Sequence, residues 1–195
     1  YQVTKQCIED IKKTKYSNLE IYLLENESTD LSGLKLFLQF KQLTIITLQA
    51  RSVYCFNFNI LAEYASYQNC EYLFILNNDT KNFSDNLFFN MIDAFSDPNV
   101  GIVSPKVYDF DGNKIHWRPR KWLNIPFDLA TEGYMTTTNI WKKVNGFTND
   151  IHICCEDLDL LFKIRQLGLK EKLIEQSSFF HLTSASMNSR IFLPF

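Results

Sequence analysis

Apolar blocks alternate with polar ones along the first 105 residues, and their spacing predicts strands separated by helices. Ile8 and Ile11, set among lysines and acids, predict a short amphipathic helix over residues 3–14. Continuous apolar runs predict strands over residues 19–24, 43–48, 72–76 and 100–104. Apolar residues at helical spacing predict helices between these strands, over residues 31–41, 60–67 and 85–95. Such alternation is typical of an α/β fold with a mostly parallel central sheet flanked by helices.

The second half of the chain has fewer regular elements. Helices are predicted over residues 138–144 and 156–167, the second ended by Gly168, and a final strand over 173–175. The polar residues and glycine of 109–113 predict a turn. Because no repeat and no linker rich in Pro, Gly or Ser interrupts the sequence, we expect a single domain over the whole chain.

Charge and cysteine usage exclude several classes of protein. Twenty Lys and Arg against 22 Asp and Glu give a net charge of −2, which removes the electrostatic case for binding nucleic acid or an anionic membrane. The apolar runs are far shorter than the ~20 residues that span a bilayer, and no charged-then-apolar leader opens the chain. Five cysteines without C-x-x-C spacing indicate reduced thiols. We therefore expect a cytoplasmic protein with no transmembrane segment in this chain.

Two clusters of polar residues follow predicted strands, at the sheet edge where α/β proteins bind ligands. The segment from Glu25 to Asp30 precedes a predicted helix, so its residues either cap that helix or contact a ligand. Asn77, Asn78 and Asp79 follow a five-residue apolar strand. These three residues either form a turn or supply oxygen ligands to a divalent cation that holds a diphosphate.

A third cluster opens the predicted helix 156–167. Glu156, Asp157 and Asp159 lie in its first turn, where the helix dipole favours acids by ~0.3–1 kcal/mol without any further function. Three acids in four positions nevertheless exceed what a cap needs. Asp157 and Asp159 point in different directions on a helix, so one acid can face a substrate while another orients a loop or pairs with a cation.

Histidine and tryptophan residues carry weaker signals. His181 follows two phenylalanines, and a lone histidine is more often a surface or core residue than a ligand. Trp117 and Trp122 lie in an irregular basic stretch. That stretch either packs against the domain or clasps an acceptor.

Taken in order, these segments resemble the glycosyltransferases of family 2, in particular the branch similar to bacterial rhamnosyltransferases. CIEDIKKTKYSNLEIYLLENESTD is similar to the helix, strand and nucleotide loop of that family, and EYLFILNNDT to the strand that carries its metal motif. VGIVSPKVYDFDGN, EGYMTTTNIWKKVNGF and EDLDLLFKIRQLGLK resemble its following hairpin, its acceptor-side segment and its E-D-x-D helix. FFHLTSAS is similar to its closing histidine segment. The resemblance covers nearly the whole chain.

The resemblance implies the nucleotide-diphospho-sugar transferase fold, called GT-A, within one domain over residues 1–195. Residues 1–105 would form the nucleotide-binding half and residues 106–195 the acceptor-binding half. The implied activity is inverting transfer of a sugar from a nucleotide-sugar donor to a hydroxyl of a glycan, a lipid-linked carrier or a protein, with Mg²⁺ or Mn²⁺ as cofactor. The implied location is the cytoplasm, free or at the cytoplasmic face of the membrane.

The resemblance also assigns roles to individual residues. It implies Asp157 as the catalytic base, and Asp79 and His181 as metal ligands. The residues that it places at the donor nucleotide are Glu25, Asn26, Asp30, Asn59, Asn77 and Asn78. Those that it places on the acceptor side are Gly133, Met135, Glu156 and Asp159.

Departures from the family pattern bear on activity. The family's first strand would precede Tyr1, so we expect a central strand to be missing from this sequence. Glu25 stands where Asp is usual, Asn145 replaces the first glycine of a G-G-F turn, and the stretch 51–59 lacks its glycine. These departures favour an alternative, a degenerate and non-catalytic family member that binds a nucleotide or glycan or acts as a scaffold. The retained acids at the strand end and in the E-D-x-D helix favour the enzyme.

Overall fold

The computed structural model describes residues 1–48, 53–109, 120–122, 125–151 and 155–182, with only the backbone described at 120–122 and 125–127. Within these ranges the helices are α1 (Gln2–Ile11), α2 (Ser32–Gln39), α3 (Tyr54–Tyr67), α4 (Leu87–Asp93), α5 (Thr138–Lys143) and α6 (Glu156–Gln166). The strands are β1 (Tyr22–Glu25), β2 (Thr44–Thr47), β3 (Tyr72–Leu76), β4 (Thr80–Lys81), β5 (Val100–Asp109), β6 (Arg120–Trp122), β7 (Ile125–Phe127), β8 (Gly133–Thr137) and β9 (Lys170–His181). A short 3₁₀ helix at Ala94–Ser96 follows α4.

A five-stranded sheet in the order β3-β8-β5-β9-β4 forms the centre of the described structure. In this sheet β5 and β9 are parallel, and the other neighbouring strands are antiparallel. β1 and β2 form a separate parallel pair, and β6 and β7 a short antiparallel pair. The predicted α/β class is confirmed, but the central sheet is mixed rather than mostly parallel.

The mixed character of the sheet comes from β8 and β9, which the apolar pattern represents poorly. β8 contains Gly133 and two threonines, so it gives little strand signal, yet it inserts between β3 and β5 with Met135 opposite both Phe74 and Val103. β9 is 12 residues long, whereas the sequence predicts only residues 173–175. Polar residues interrupt its apolar positions, which conceals its length.

Apolar clusters cover both faces of β3. Leu73 and Ile75 pack in a cluster with residues of α3, α5 and α6. On the other face, Tyr72, Phe74 and Leu76 pack against a cluster that contains residues of α4. The predicted strand over residues 72–76 is therefore covered on both sides, although the second face stays half-buried.

The β1-β2 pair lies beside the five-stranded sheet under α3. The ring of Tyr22 in β1 packs edge-on against Tyr64 of α3, with 5.3 Å between the ring centroids. The Tyr22 hydroxyl lies 3.6 Å from the sulfur of Cys70, shortly before β3. Within the described ranges, no strand pairs with β1 on the side opposite β2.

Candidate functional site

The carboxyl end of β3 leads into residues 77–79 at one edge of the central sheet. The amide of Asn77 donates to the carbonyl of Glu132 at 3.0 Å, just before β8. The hydroxyl of Thr80 donates to the carbonyl of Asn77 at 2.9 Å. These bonds turn the chain tightly, and Asp79 takes a position with 7% of its surface exposed.

Asp79 and His181 meet where β4 pairs with β9. Thr80 lies opposite His181 in this pairing, and the amide of Leu182 donates to the carbonyl of Asp79 at 2.9 Å. The Oδ1 atom of Asp79 is 3.1 Å from Nε2 of His181, and both side chains are mostly buried. The fold thus brings together the two residues to which the family resemblance assigns metal binding.

The 3.1 Å between Asp79 and His181 is the distance of a direct ion pair, and it also matches two ligands of one divalent cation. Two ligand atoms at right angles, each about 2.1 Å from one ion, stand about 3 Å apart. Within the described part of the chain, no group of three or more His, Cys, Asp or Glu side chains is gathered as a metal site. An ion held by these two residues would therefore complete its coordination with water and with substrate phosphates.

Helix α1 lies against the segment that follows β3 and holds it in place. The side-chain amide of Asn78 donates to the hydroxyl of Thr4 at 2.8 Å. The backbone amide of Asn82 donates to Oδ2 of Asp10 at 3.1 Å. Thr4 and Asp10 are buried polar residues. The apolar pattern of α1 marks Ile8 and Ile11 as its inner face, which is why sequence reasoning missed this polar contact.

Asp10 stays charged although it is buried. Burial raises the pKa of Asp10, but hydrogen bonds from Lys13, Asn82 and Gln6 outweigh that effect and leave the pKa below its ordinary value. The Nζ atom of Lys13 lies 2.6 Å from Oδ1 of Asp10. A charged carboxylate therefore anchors α1 to the chain that leaves β4.

The loop after β1 is organised by its own acids. Glu25 accepts a hydrogen bond from the amide of Ser28 at 2.7 Å. Oδ1 of Asp30 accepts from the amide of Ser32 at 3.0 Å and also from the Ser32 hydroxyl. That hydroxyl contributes most to lowering the pKa of Asp30 to about 2. Glu25 and Asp30, which are both predicted to contact the donor, thus fix the conformation of the chain before α2. Asn26, which lies between them in the sequence, is half-buried.

The aspartates at the start of α6 lie in different surroundings. Asp157 is buried, and its Oδ1 accepts from the amide of Leu158 at 2.9 Å. Oδ2 of Asp159 accepts from the Thr148 hydroxyl at 2.8 Å and pairs with Lys163 at 2.9 Å. Asp159 therefore orients the loop before α6, whereas Asp157 lies beneath the surface at the helix start.

Two tyrosines that sequence reasoning missed surround the acids of α6. Tyr54 begins α3, and Tyr134 lies fully buried in β8. Burial raises the pKa of both phenols, and the negative charges of Glu156 and Asp157 raise it further. Both hydroxyls therefore stay protonated at neutral pH. Within the described ranges, Oε2 of Glu156 is buried without a hydrogen-bond partner. The sequence gives no sign that an isolated tyrosine in an apolar element lies near carboxylates in the fold.

The loop after α5 is fixed by Asn59 and two left-handed residues. Asn145 and Gly146 have φ angles of +58° and +57°, and the amide of Gly146 donates to the carbonyl of Trp141 at 3.0 Å, which closes a Schellman motif. Because Asn tolerates this conformation, the turn persists where the family pattern has a glycine. The side chain of Asn59 donates to the carbonyl of Phe147 and accepts from its amide. Asn59, predicted at the donor, holds this loop.

A groove of about 540 Å³ lies beside this loop, between α3 and α5. Glu63, Lys142 and Asn149 contribute polar groups to its lining. Asn59 lines it, but neither Asp79 nor the acids in the first turn of α6 do.

Gly133 and Met135 lie inside the core. A Cβ atom on Gly133 would stand 2.7 Å from the ring of Phe179 and 2.9 Å from Leu76, so β8 requires a glycine here. Met135 is 2% exposed and packs in the cluster that contains α4 residues. Their contacts are packing contacts, and their acceptor-side role stays a prediction.

Some predicted features lie outside the described residues. These include the turn beyond Asp109 and the side chain of Trp117. Only the backbone of Trp122 is described, in β6. The role of the basic stretch around them stays a prediction.

Solved glycosyltransferases share this architecture. The mannosyltransferase PcManGT from Pyrobaculum calidifontis, in complex with GDP-Man and Mn²⁺, matches 92% of this chain and 53% of its own with a TM-score of 0.72 and 17% identity. GalNAc-T7 with UDP, GalNAc and Mn²⁺ matches 91% of this chain and 41% of its own, with a TM-score of 0.73 and 12% identity. TarS of S. aureus gives a TM-score of 0.67 at 15% identity over 94% of this chain and 58% of its own. The fold is therefore the GT-A fold.

Family membership follows from the sequence. The model for glycosyl transferase family 2 matches residues 1–167, and the chain belongs to that family. O-antigen biosynthesis protein RfbC of Myxococcus xanthus is 23% identical over 203 residues, which cover 90% of this chain and 16% of RfbC. The chain thus spans a small part of this curated relative and roughly half of the solved structures.

Proposed function

We propose that this domain is an inverting glycosyltransferase that moves a sugar from a nucleotide-sugar donor to an acceptor hydroxyl with the help of Mg²⁺ or Mn²⁺. The observation that carries the proposal is the meeting of Asp79 and His181, 3.1 Å apart, beside the end of β3 in a GT-A fold. The similar structures contain GDP-Man with Mn²⁺, or UDP with Mn²⁺. These ligands support the same classes of donor and metal here.

In this proposal Asp79 and His181 hold the divalent ion. A bound ion would supply positive charge that stabilises the leaving nucleoside diphosphate. The nucleotide is contacted by Asn77, which follows β3, and by Asn26 and Asp30, which follow β1. These two segments lie on either side of the first turn of α1. The start of α1 contacts both segments: the backbone nitrogen of Tyr1 lies 3.3 Å from Oδ2 of Asp30, and Thr4 accepts from Asn78.

Asp157 acts as the general base in the proposed reaction. It accepts the proton of the acceptor hydroxyl while that oxygen bonds to the anomeric carbon and the bond from this carbon to the nucleotide phosphate breaks. A single displacement of this kind inverts the anomeric configuration. Tyr54 and Tyr134 lie near the acids as protonated phenols, and Glu156 and Asp159 complete the acceptor side.

The proposed donor class is a nucleotide-activated hexose or deoxyhexose, including the rhamnosyl type that the sequence resembles. The proposed acceptor is a hydroxyl of a glycan, a lipid-linked carrier or a protein. RfbC is named for O-antigen biosynthesis, which supports a role in polysaccharide assembly for this domain.

We assign the domain to the cytoplasm, free or at the membrane face. The Asn78 side chain lies in an N-x-T sequon but donates to Thr4 in a partly buried contact, which leaves no room for a glycan there. Among the described residues, Cys7, Cys55 and Cys70 form no disulfide bond. None of the helices in the described ranges has the length and apolar character needed to cross a bilayer.

We also propose that a further strand, contributed by residues outside the present sequence, lies between β1 and β3. Within the described ranges, β1 pairs only with β2, and β3 pairs only with β8. Both strands nevertheless pack near α3. A strand in this position would join the two sheets and satisfy the backbone groups of both edges.

A second candidate function is a non-catalytic member that binds a nucleotide or glycan, or acts as a scaffold. Glu25, Asn59 and Asn78 favour it, because each side chain makes a hydrogen bond within the protein where the family resemblance implies a donor contact. Donor binding through these side chains requires that those internal bonds break.

Calorimetric titration distinguishes the two candidates. UDP, GDP and dTDP are titrated into the protein with Mn²⁺ and with EDTA. The enzyme is expected to bind one of them in a metal-dependent manner and then to transfer sugar from the matching donor. Metal-dependent binding without transfer to any acceptor tested favours the binder, and no binding at all favours the scaffold.

A further inference from the structure

Helix α2 exposes a face of large apolar side chains. Leu31, Leu34, Phe37 and Leu38 are 61%, 54%, 57% and 70% exposed. Their spacing of three and four residues places them on one stripe, which we call the α2 face. Leu36, by contrast, is 1% exposed and faces the core. Single exposed apolar side chains are common, but four neighbouring ones, three leucines and a phenylalanine, mark an interaction surface.

The α2 face points away from the rest of the domain. The flank of α2 between this face and the buried Leu36 is polar and contacts the start of α1: the Tyr1 hydroxyl donates to Gln39 at 2.6 Å, and Lys35 lies over the Tyr1 ring. α1 in turn contacts β4, toward the central sheet. α2 also contacts β2, so the α2 face lies on the side of the domain formed by the β1-β2 pair.

An open strand edge lies at the same end. β2 pairs with β1 on one side and with no described strand on the other. Its sequence, Thr44-Ile-Ile-Thr47, contains no proline or charged residue of the kind that blocks edge pairing. A partner that covers the α2 face can therefore also extend the sheet from β2.

The two ends of the α2 face carry charges of opposite sign, so the face is complementary to the same face of a second copy. The exposed acids Glu27 and Asp30 precede the helix, and the exposed Lys41 follows it. Two copies related by a two-fold axis would pack their α2 helices antiparallel, with the acidic end of each beside the basic end of the other. An anionic membrane fits less well, because the acids lie beside the apolar stripe.

We propose that the α2 face is the contact through which two copies of this chain form a two-fold symmetric dimer. The four exposed side chains present on the order of 400–500 Å², which matches the largest apolar patch of a typical monomer, about 300–600 Å² and often functional. A stable interface takes about 800 Å² from each partner, so this stripe forms its apolar centre while the charged ends and the edge of β2 form its rim.

Sedimentation equilibrium over roughly 1 μM to 1 mM protein tests the dimer. We expect the wild-type chain to dimerise with a Kd of roughly 1–100 μM, and the double variant Leu34→Gln/Leu38→Gln to weaken dimerisation at least ~10-fold. Tyr67→Gln/Leu167→Gln is the matched control, because it removes two exposed apolar side chains elsewhere and should leave the Kd unchanged. All variants are first compared by circular dichroism.

Charge reversal tests the two-fold arrangement. Lys41→Glu should weaken the dimer, and adding Glu27→Lys should restore part of the affinity, because the new lysine would face the new glutamate of the other copy while Asp30 is unchanged. A wild-type chain that stays monomeric at the highest concentration overturns the proposal, as does a dimer unaffected by the Leu34/Leu38 variant. Vesicle binding by a monomer that the same variant abolishes would assign the α2 face to a membrane instead.

Discussion

At the scale of single residues, Asp79 is the most direct test of the proposed donor site. We expect Asp79→Ala to remove the dependence of nucleoside diphosphate binding on Mn²⁺, because it removes the hard anionic ligand that faces His181. Titration calorimetry with Mn²⁺ and with EDTA measures this. Asp85→Ala is a suitable control, since Asp85 is an exposed acid paired only at the surface with Lys15. Equal affinity of the wild type with and without metal would contradict the assignment.

Asp157 and Asp159 allow the acids of α6 to be separated by mutation. We expect Asp157→Asn to preserve fold and nucleotide affinity while it lowers the transfer rate by roughly 10²–10⁴, the usual contribution of a positioned base. Asp159→Asn should instead weaken the contacts with Thr148 and Lys163, lower stability by at most ~1 kcal/mol, and retain most of the activity.

Three measurements on each variant decide between these roles: donor affinity, thermal midpoint and transfer rate. Near wild-type transfer by Asp157→Asn rules out Asp157 as the base and points to Glu156, whose buried Oε2 lies nearby. Loss of transfer in Asp159→Asn, with its stability intact, would show that Asp159 takes part in the chemistry.

Through motif order, the family resemblance predicted a shared role for Asp79 and His181, and the structure brings them together although they lie far apart in the chain. It could not reveal that Asn78 and Asn59 hold neighbouring elements, because an amide beside a strand end looks the same whether it binds a ligand or the protein itself. The tyrosines near Glu156 were equally hidden, since residue type alone does not distinguish a packed phenol from one beside a carboxylate.

At the scale of elements, the end of α5 depends on a left-handed residue. Asn145 has a φ of +58°, which a β-branched side chain adopts only with strain. We expect Asn145→Val to lower the free energy of unfolding by roughly 1–3 kcal/mol, and Asn145→Gly to leave it unchanged or slightly raised. Urea unfolding measures both, with Lys143→Val as a control for the lower helix propensity of valine. Equal stability of the two valine variants would contradict the turn conformation.

The anchor of α1 should make stability depend on pH. The pKa of Asp10 is lowered by folding, so its carboxylate stabilises the protein above the unfolded pKa of about 3.9, and this stabilisation is lost as the pH falls through the folded pKa. We expect Asp10→Asn to cost about 1–2 kcal/mol at pH 7 and progressively less below about pH 4. Urea midpoints at both pH values measure the effect, and a pH-independent difference would show that the charge is not responsible.

Elements with strong periodicity were predictable, and β3 matches its predicted bounds. α3 begins at Tyr54, earlier than the predicted residue 60, because its aromatic and polar mixture has no clear apolar stripe. The antiparallel insertion of β8 was not predictable, since strand order depends on long-range packing and not on local pattern.

At the scale of the whole molecule, the separate sheets suggest a stability test. We expect a chain extended at its N-terminus by its native upstream residues to be more stable than the 195-residue chain, because an added strand would satisfy the facing edges of β1 and β3. Urea midpoints of the two chains measure the gain. No gain on extension would show that the domain closes without such a strand.

The position of β9 in the sheet constrains when this domain can form during synthesis. β9 lies between β5 and β4 in the sheet. Each of these two strands therefore keeps an unpaired edge until β9, which begins about seventy residues after the start of β5, has been synthesised. The contact between Asp79 and His181 likewise forms only after the last residue of β9 has been synthesised. The nascent chain therefore carries open strand edges, and Asp79 lacks its contact with His181, until β9 has emerged. We expect the chain to be most exposed to misfolding and to chaperones during this interval.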